Sequence, residues 1–362
     1  MKRNKYILPI VFILLILSIV FTTVVFYQQA RQQNIKTRAD ALDNIDQRMA
    51  HTYSEINSFP AGAADNLLFL SKLSELQKIN ISQNIKDIEK DFLEFLAQTE
   101  AYYQISFLNN SGVEIIRAES NKESRQIVPF SSKTNSENIS YFNLVKNLKD
   151  GEVYVFPLDL NVKNDTIENR GDTAHPKYVP VLRYAVPVFN RQNNQQAGII
   201  LIKVYADYFL DSIRQSQREG EITFLIDNNG FYLANPDRNK EFSYLFNDKK
   251  NNFFTDYPLV SQKNMIDCND RRQETGKQIF TYRCINPSTS NFEIYEGSKT
   301  IKGKSNSDYQ WILVTVTDKN DGLKDFSQQT YDYLWVILIQ ILIQGTVFIF
   351  FLLNNRLYEK TN

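Results

Sequence analysis

The sequence predicts an α+β protein: one long N-terminal helix, then two tandem modules of antiparallel sheet, with a transmembrane helix flanking them on each side. Three observations predict this architecture. An uncharged apolar stretch of membrane-spanning length lies near each end of the chain. Residues 28–58 contain neither proline nor glycine, as a long helix requires. A pattern of aliphatic strand, Asn/Asp-rich turn with glycine and second aliphatic strand occurs twice.

Composition limits the classes of protein that the chain can represent. It has 362 residues, 41 basic and 41 acidic, and 43% are hydrophobic. These values favour a globular protein of about two domains. A balanced charge argues against a nucleic-acid partner, because a neutral surface gains little from release of phosphate counterions. The 20 Tyr and 25 Phe residues fill sheet cores in the main, and some are available to line a ligand pocket.

The two apolar stretches predict the membrane topology. Tyr6–Val25 carries no charge, is long enough to cross a bilayer and follows the basic sequence MKRNK. A cleaved signal peptide is the alternative, but the stretch is longer than a typical signal core and no small-x-small site follows it. Leu334–Leu353 is the second stretch. Interfacial aromatics precede it and basic residues follow it: Tyr331, Tyr333, Trp335, Arg356 and Lys360.

Two such spans place both termini in the cytoplasm and residues 27–333 outside it, at the cell (inner) membrane. The two cysteines, Cys268 and Cys284, then lie in an oxidising compartment, so we expect a disulfide. In the chain-entropy model it would contribute about 3 kcal/mol. Two buried thiols are the alternative. A zinc site is not favoured, since the two histidines, His51 and His175, are distant from both cysteines in sequence.

Helical periodicity dominates the first hundred residues. Ile35, Leu42, Met49 and Ile56 recur every seven residues, which predicts one apolar face on a helix continuing out of the membrane. Such a face suits either a dimer seam or docking on the domain; we favour docking, with a dimer contact near the membrane. The sequence FPAG at 59–62 predicts a break in this helix. Two shorter helices are expected at 66–76 and 85–96.

Strand patterns follow. Hairpins are predicted at Tyr102–Ser120 and Glu221–Asp237, with a helix at 205–217 between the modules. Further strands are expected at 151–160, at two places within 180–204, at 278–285 and at 308–318.

Three motifs carry a resemblance to a known family: LKDGEVYVFPLDLN, PVLRYAVPVFN with its continuation QAGIILIKVYADYFLD, and TFLIDNNGFYLANPD. In this order and spacing, over residues 28–323, they resemble the double Cache (PAS-like) sensor domain of bacterial transmembrane receptors. The resemblance implies a ligand sensor whose pocket lies in the membrane-distal module. It also implies a cytoplasmic output domain of histidine kinase, diguanylate cyclase or chemoreceptor type.

The resulting organisation has six parts. They are the cytoplasmic N-terminus and first span (1–26), the stalk and distal helices (27–100), the membrane-distal module (101–217), the membrane-proximal module (218–323), the linker and second span (324–353), and a short tail (354–362). Because this tail has only nine residues, we expect a receptor that is truncated or that signals through a partner.

The chain departs from the amino-acid-binding branch of this family at two positions. That branch carries Arg-x-Trp-Tyr where this sequence has ISYF, so Ile139 replaces the arginine that binds the substrate carboxylate. Lys203 stands about where the branch places an aspartate for the ligand ammonium group. Both replacements argue against an ordinary α-amino acid as the ligand.

Arg183 and Lys203 are the cations that most need explanation, because each shares a strand face with small or aliphatic residues. One interpretation is structural: an ion pair to Asp159 or Glu119, or exposure at a strand end. The other places them in the distal pocket together with Asp159, with the two cations facing a carboxylate or other anion. The aromatic wall would then come from Tyr141, Tyr154 and Phe156. Arg117 is expected on a sheet edge.

The sequence contains no catalytic motif that we recognise, and we expect neither enzymatic activity nor a cofactor or metal. Two hypotheses from different classes therefore stand. The first is a membrane-anchored sensor of a small molecule, acting as a homodimer. The second is an anchored scaffold whose modules bind a partner protein and whose pocket is filled by core residues.

Overall fold

The computed structural model describes residues 7–78, 81–98, 100–121, 124–128, 136–163, 166–268, 271–287, 303–304, 309–319, 335–350 and 352–353. The chain divides into two compact units. One comprises Met1–Gln47 with Thr317–Asn362, and the other comprises Arg48–Val316.

The helices and strands follow one another in an α+β order. The helices are α1 (Ile7–Ser71), α2 (Ile81–Gln98), α3 (Ser136–Val145), α4 (Asp207–Gln215), α5 (Phe253–Asp256), α6 (Gln262–Ile266) and α7 (Trp335–Phe350). The strands are β1 (Tyr102–Asn109), β2 (Glu114–Asn121), β3 (Ser124–Val128), β4 (Val153–Val155), β5 (Asp159–Leu160), β6 (Val162–Lys163), β7 (Thr166–Ile167), β8 (Pro180–Phe189), β9 (Gln196–Tyr205), β10 (Glu221–Asp227), β11 (Tyr232–Ala234), β12 (Arg272–Thr275), β13 (Gln278–Ile285), β14 (Gly303–Lys304) and β15 (Trp311–Asp318).

Helix α1 runs unbroken through Pro60, so the predicted break at 59–62 is wrong. A proline inside a helix costs about 3 kcal/mol or more, because it removes a hydrogen bond and clashes with the preceding turn. Ile56, Leu67 and Leu70 are each at most 1% exposed. Burying an aliphatic side chain of this kind contributes roughly 1.5–3 kcal/mol, so packing on both sides of the proline outweighs its cost. Of the helix predicted at 66–76, residues 66–71 are accordingly the end of α1, and residues 72–76 lie beyond it in turns.

Helix α2 confirms the amphipathic helix predicted at 85–96 and extends it at both ends. Ile88, Phe92 and Leu96 are spaced by four residues and are fully buried. They join a core that also contains Met49 and Ile56 of α1. Ile35, from the same seven-residue series, is 56% exposed.

The first sheet has eight strands among the described residues, in the order β14-β4-β8-β9-β1-β2-β3, with β5 also paired to β8. The predicted hairpin at Tyr102–Ser120 is confirmed as β1 and β2. The predicted strand pair within 180–204 is confirmed as β8 and β9, which pair antiparallel. Gly198 is required where β9 passes β1, since a Cβ atom there would collide with the carbonyl oxygen of Leu108.

One strand prediction needs correction. Residues 151–160 do not form one strand, because β4 and β5 are separate short strands divided by Phe156, Pro157 and Leu158. Proline lacks the N–H that a continuous ladder requires.

The two faces of the first sheet differ. Alternate residues such as Ile105, Leu182 and Ile202 face the core formed with α1 and α2. The residues between them, among them Ala185 and Leu201, face a separate cluster that includes side chains of α3. Because successive side chains of a strand point to opposite faces, β8 and β9 are buried on both.

The second sheet has five strands among the described residues, in the order β11-β10-β15-β13-β12. It confirms the second predicted hairpin and the strands expected near 278–285 and 308–318. Its own core is rich in aromatic side chains, with Phe224, Tyr232, Phe253, Phe280 and Tyr282 at its centre.

One helix in the described part of the chain, α1, is long and apolar enough to cross a membrane, with a mean hydropathy of 2.8 over its most apolar window. Signal sequences and buried core helices pass the same test. Helix α7 is apolar but shorter. The predicted flanking residues Tyr331, Tyr333, Arg356 and Lys360 lie outside the described residues.

Candidate functional site

A row of polar side chains crosses four neighbouring strands of the first sheet. Arg183 of β8 lies opposite Lys203 of β9, and Lys203 lies opposite Gln104 of β1. Gln104 in turn lies opposite Glu119 of β2. All four are buried, with exposures of 4%, 5%, 3% and 8% in the order given. We call these four residues the polar row.

The alternation of the strands places the polar row on one face. Arg183 lies between Leu182 and Tyr184, which are fully buried in the helix-covered core on the other face. Directly opposed residues of an antiparallel pair have Cβ atoms about 4.5–5.5 Å apart. Two cations therefore stand side by side in a buried setting. Like charges placed in this way destabilise a sheet unless anionic or strongly polar groups surround them.

Both cations reach the segment that follows β5. Nη2 of Arg183 donates a hydrogen bond to the carbonyl oxygen of Leu160 at 3.2 Å. Nζ of Lys203 donates to Oδ1 of Asn161 at 3.4 Å. The residues after β5 thus cover the cationic end of the polar row.

Asn161 links Lys203 to a carboxylate. It is 1% exposed, and its Nδ2 donates to Oε2 of Glu168 at 2.7 Å. The Glu168 carboxylate also accepts from Nε of Arg170 at 2.8 Å. Burial alone would raise the pKa of Glu168, but hydrogen bonds from Asn161 and Arg170, with the charge of Arg170, lower that pKa below its ordinary value. Glu168 is therefore held as an anion, and the Asn161 amide connects it to Lys203.

Arg170, which donates to Glu168, also contacts side chains of β9 and β1. Its Nη2 donates to the hydroxyl oxygen of Tyr205 at 2.9 Å, and its guanidinium lies over the rings of Tyr205 and Tyr103, at 5.2 Å and 5.8 Å from their centroids. The Tyr205 hydroxyl donates to the carbonyl oxygen of Ser120 at 3.0 Å. The segment 161–170 is thus joined to β9 and β2 by charged and aromatic contacts.

An aromatic cluster lies beside the polar row on the same face. The ring of Phe156 is 4.8 Å from that of Tyr141 and 4.7 Å from that of Tyr154, centroid to centroid. Tyr154 lies opposite Ala185, two residues along β8 from Arg183. Burial raises the pKa of Tyr154. The structure thus brings the three predicted aromatic residues together.

Glu119 and Asp159, the predicted ion-pair partners of the two cations, contact other residues as well. The carboxylate of Glu119 lies 3.4 Å from Nη1 of Arg117 and 3.6 Å from Nζ of Lys163. Oδ1 of Asp159 accepts from the backbone N–H of Leu160 at 2.8 Å and from the hydroxyl of Tyr244 at 3.3 Å. Arg117 is not on a sheet edge as expected, because β3 pairs with β2 on its outer side.

Several residues of the site were not foreseen from the sequence. Gln104 donates to the Ser106 hydroxyl at 2.6 Å, and both are buried next to the cations. The signal for them is present in YYQISFLN, where two polar residues two positions apart occupy one face of an otherwise apolar strand. Asn161 and Glu168 lie in a polar segment whose pattern gives no such signal.

The two cysteines are joined in the structure as a disulfide, with Cα atoms 6.2 Å apart. This separation is within the range that native disulfides adopt. Within the described residues, no three His, Cys, Asp or Glu side chains are grouped to hold a metal ion.

Comparison with known proteins identifies a family. A family model described as "Bacterial histidine kinase, sensor domain" matches residues 66–289. A search of curated protein sequences found no match.

Solved structures share the fold. The extracellular domain of vpHK1S-Z8, assigned as a histidine kinase, has a TM-score of 0.58 and 17% identity, covering 80% of this chain and 98% of that one. A domain of a sensory box/GGDEF family protein from Vibrio parahaemolyticus has a TM-score of 0.60 and 16% identity, covering 79% and 99%. The ligand-binding domain of the Pseudomonas fluorescens chemoreceptor CtaA, in complex with L-isoleucine, has a TM-score of 0.48 and 11% identity, covering 80% and 96%. The resemblance inferred from the sequence, to sensor domains of bacterial receptors, is confirmed.

Proposed function

Because the chain belongs to the family of bacterial histidine kinase sensor domains, we propose that it is a membrane-anchored receptor whose first sheet binds a small carboxylate or another small anion. Residues 27–333 lie outside the cytoplasm in this proposal, between two spans at the cell membrane. The chain is not itself an enzyme, and kinase or cyclase activity resides in the output region that it controls.

The observation that carries the ligand class is the direct opposition of Arg183 and Lys203 in the polar row. A carboxylate set between them offsets their mutual repulsion. The planar guanidinium of Arg183 is suited to bind it through two parallel hydrogen bonds, with Lys203 as a point charge. The adjoining rings of Tyr141, Tyr154 and Phe156 favour an apolar or aromatic body on the same ligand.

Transmission requires that the ligand bind two arrangements of the receptor with different affinity. The proposed ligand-contacting segment is well placed for this, since Leu158, two residues after Phe156, donates its backbone N–H to the hydroxyl of Tyr309 at 2.6 Å. Tyr309 precedes β15 of the second sheet by two residues. We propose that the shift proceeds through the long helix and the second span, within a homodimer.

The test is a thermal-shift screen of the full chain in detergent micelles. A library of mono- and dicarboxylates is compared with the matching neutral amides. We expect selected carboxylates, and not their amides, to raise the melting temperature. Arg183→Met and Lys203→Met should each abolish the shift. Lys163→Met, at a side chain that is 53% exposed, serves as the control and should retain it.

Two results would contradict the proposal. One is a melting temperature that no carboxylate or other anion raises. The other is a shift that survives both substitutions of the polar row. If small molecules have no effect and a purified partner protein raises the melting temperature instead, the chain is a scaffold.

A further inference from the structure

The unit formed by residues 1–47 and 317–362 holds two polar contacts between its apolar helices. Nε2 of Gln340 donates to Oγ1 of Thr22 at 2.7 Å, and Nε2 of Gln344 donates to Oγ of Ser18 at 2.8 Å. Both glutamines belong to α7, and both hydroxyls belong to α1. Glutamines are unexpected in a span, because an amide in hydrocarbon needs a hydrogen-bond partner.

The four residues are matched in spacing. Ser18 and Thr22 are four apart on α1, and Gln340 and Gln344 are four apart on α7, so each pair lies on one helix face. The contacts join the earlier residue of one helix to the later residue of the other, which defines an antiparallel arrangement. The rings of Phe12 and Phe348, 5.4 Å apart between centroids, are a further contact between the two helices and run in the same antiparallel direction.

The burial of individual residues identifies the same faces of α1 and α7, independently of the hydrogen bonds. Along α7, the half-buried residues are Ile337, Gln340, Gln344 and Phe348. Along the apolar part of α1, they include Val11, Leu15, Ser18, Thr22 and Phe26. Neighbours between these positions, such as Val20 and Leu342, are 53% and 67% exposed. The polar residues are therefore at the centre of the seam between the helices.

The hydrogen bonding of the hydroxyls is complete. Ser18 donates to the carbonyl oxygen of Leu15 at 2.9 Å, and Thr22 donates to that of Ser18 at 2.8 Å. Each hydroxyl oxygen is then left to accept from a glutamine. Among the described residues, however, Oε1 of Gln344 has no hydrogen-bond partner. A polar contact that is partly unsatisfied contributes little stability, but it specifies which residues face each other.

We propose that Ser18, Thr22, Gln340 and Gln344 form an intramolecular polar ladder that fixes the register of the two spans of one chain. This inference rests on the two-span topology of the proposed function. A slip by one helical turn, about 5.4 Å, would preserve one rung and lose the other. In one direction Gln340 would meet Ser18, and in the other Gln344 would meet Thr22. The ladder therefore favours a single register over its neighbours.

Disulfide cross-linking of the full chain in native membranes tests the ladder. Cysteines are introduced as Thr22→Cys with Gln340→Cys, and in a second chain as Ser18→Cys with Gln344→Cys. The control pair is Val20→Cys with Leu342→Cys, at the same depth on the outward faces. The unmodified chain, with only its own two cysteines, gives the baseline. We expect both ladder pairs to form a cross-link within the monomer and the control pair to form none.

A further comparison tests the role of hydrogen bonding in setting the register. The ratio of the Thr22/Gln340 cross-link to the cross-link one turn away, Ser18/Gln340, is measured with and without Gln344→Leu. Interhelical hydrogen bonds in membrane proteins contribute on average about one RT, so we expect the ratio to fall about threefold. An unchanged ratio would show that apolar packing alone sets the register, and would overturn the proposal.

Carbonate extraction of the same membranes separates the two levels of inference. If the chain resists extraction but the ladder pairs do not cross-link, or cross-link only between chains, the ladder is wrong and the receptor topology stands. If carbonate releases the chain, the anchoring is wrong and the ladder falls with it.

Discussion

Arg214 binds Glu241 through two parallel hydrogen bonds, 2.8 Å from its Nε and 2.6 Å from its Nη2. The side chains are 8% and 7% exposed. Arg214 lies in the last turn of α4, which follows the first sheet, and Glu241 follows β11 of the second. Nη1 of Arg214 also donates to Asp207 and Asp211, at 2.6 Å each. One guanidinium thus joins the two halves of the sensor.

Replacing this arginine should destabilise the protein strongly. Arg214→Met leaves the buried Glu241 carboxylate without its cation, and breaking a buried pair in this way costs about 3–5 kcal/mol. The measurement is urea unfolding of the full chain, followed by tryptophan fluorescence. Arg238→Met is the control, because Arg238 contacts Asp211 but is 55% exposed; a surface pair contributes about 0–1 kcal/mol. Equal effects of the two substitutions would refute the assignment.

Lys203→Met should leave the melting temperature of the ligand-free chain unchanged or higher. The substitution removes one of two opposed cations, and one hydrogen bond that Lys203 gives up goes to the neutral amide of Asn161. Arg117→Met is the matched control on the same sheet. It should lower the melting temperature, since Arg117 lies 2.5 Å from Glu114 and 3.4 Å from Glu119. A loss of stability on replacing Lys203 would show that it is a structural residue.

Tyr309→Phe should weaken the contact between the two sheets. The hydroxyl of Tyr309 accepts from the backbone N–H of Leu158 at 2.6 Å and from Nε1 of Trp311 at 2.8 Å. Without this hydroxyl, both donors lose an acceptor. Each N–H donor left unsatisfied costs about 1–3 kcal/mol. Tyr178→Phe, which keeps its ring contact with Phe246, is the control and should change stability by less than about 0.5 kcal/mol. Chemical unfolding distinguishes the two variants.

Stability should fall in acid because of Glu168. Its folded pKa is below the ordinary value of 4.5, so the unfolded state binds more protons in that range. The stabilisation is present above the unfolded pKa and is lost as the pH falls through the folded one. Melting temperatures across this range should show a shallower acid slope for Glu168→Gln than for the unmodified chain. Glu94→Gln, at a side chain 64% exposed, should keep the original slope.

The disulfide predicts that the unreduced chain has no free thiol. The unfolded, unreduced chain should give no reaction with Ellman's reagent, because Cys268 and Cys284 are joined. Two reactive thiols would contradict this pairing. Reduction should lower the free energy of unfolding by about 3 kcal/mol if the chain-entropy model applies.

The sequence was sufficient to predict the strands that carry the site but not the composition of the site. Alternation along β8 and β9 predicted that Arg183 and Lys203 each share a face with aliphatic residues. It could not predict that they oppose each other or that Gln104 comes next. The opposition depends on the register of β8 with β9, and the place of Gln104 depends on the pairing of β1 with β9, strands about a hundred residues apart in the chain.

The covering segment was also unpredictable for a physical reason. Asn161 and Glu168 lie in a mostly polar run in which Val162 and Ile167 follow no helix or strand period, so neither periodicity nor hydrophobicity distinguishes buried Asn161 from its exposed neighbours. Their burial follows from contacts with Lys203 and Arg170. Pro60 is the reverse case. The local sequence predicts a break in the helix there, but packing that the local sequence does not encode keeps the helix continuous.

The pairing of β14 with β4 has a consequence for how the receptor is made. Gly303 and Lys304 pair with Val153 and Tyr154, so the edge of the first sheet is completed by residues that follow most of the second. During synthesis, Tyr154 has been made long before its neighbouring strand exists. The first sheet therefore reaches its final form only after nearly the whole sensor domain has been synthesised, so under the proposed function a nascent chain acquires its ligand specificity late.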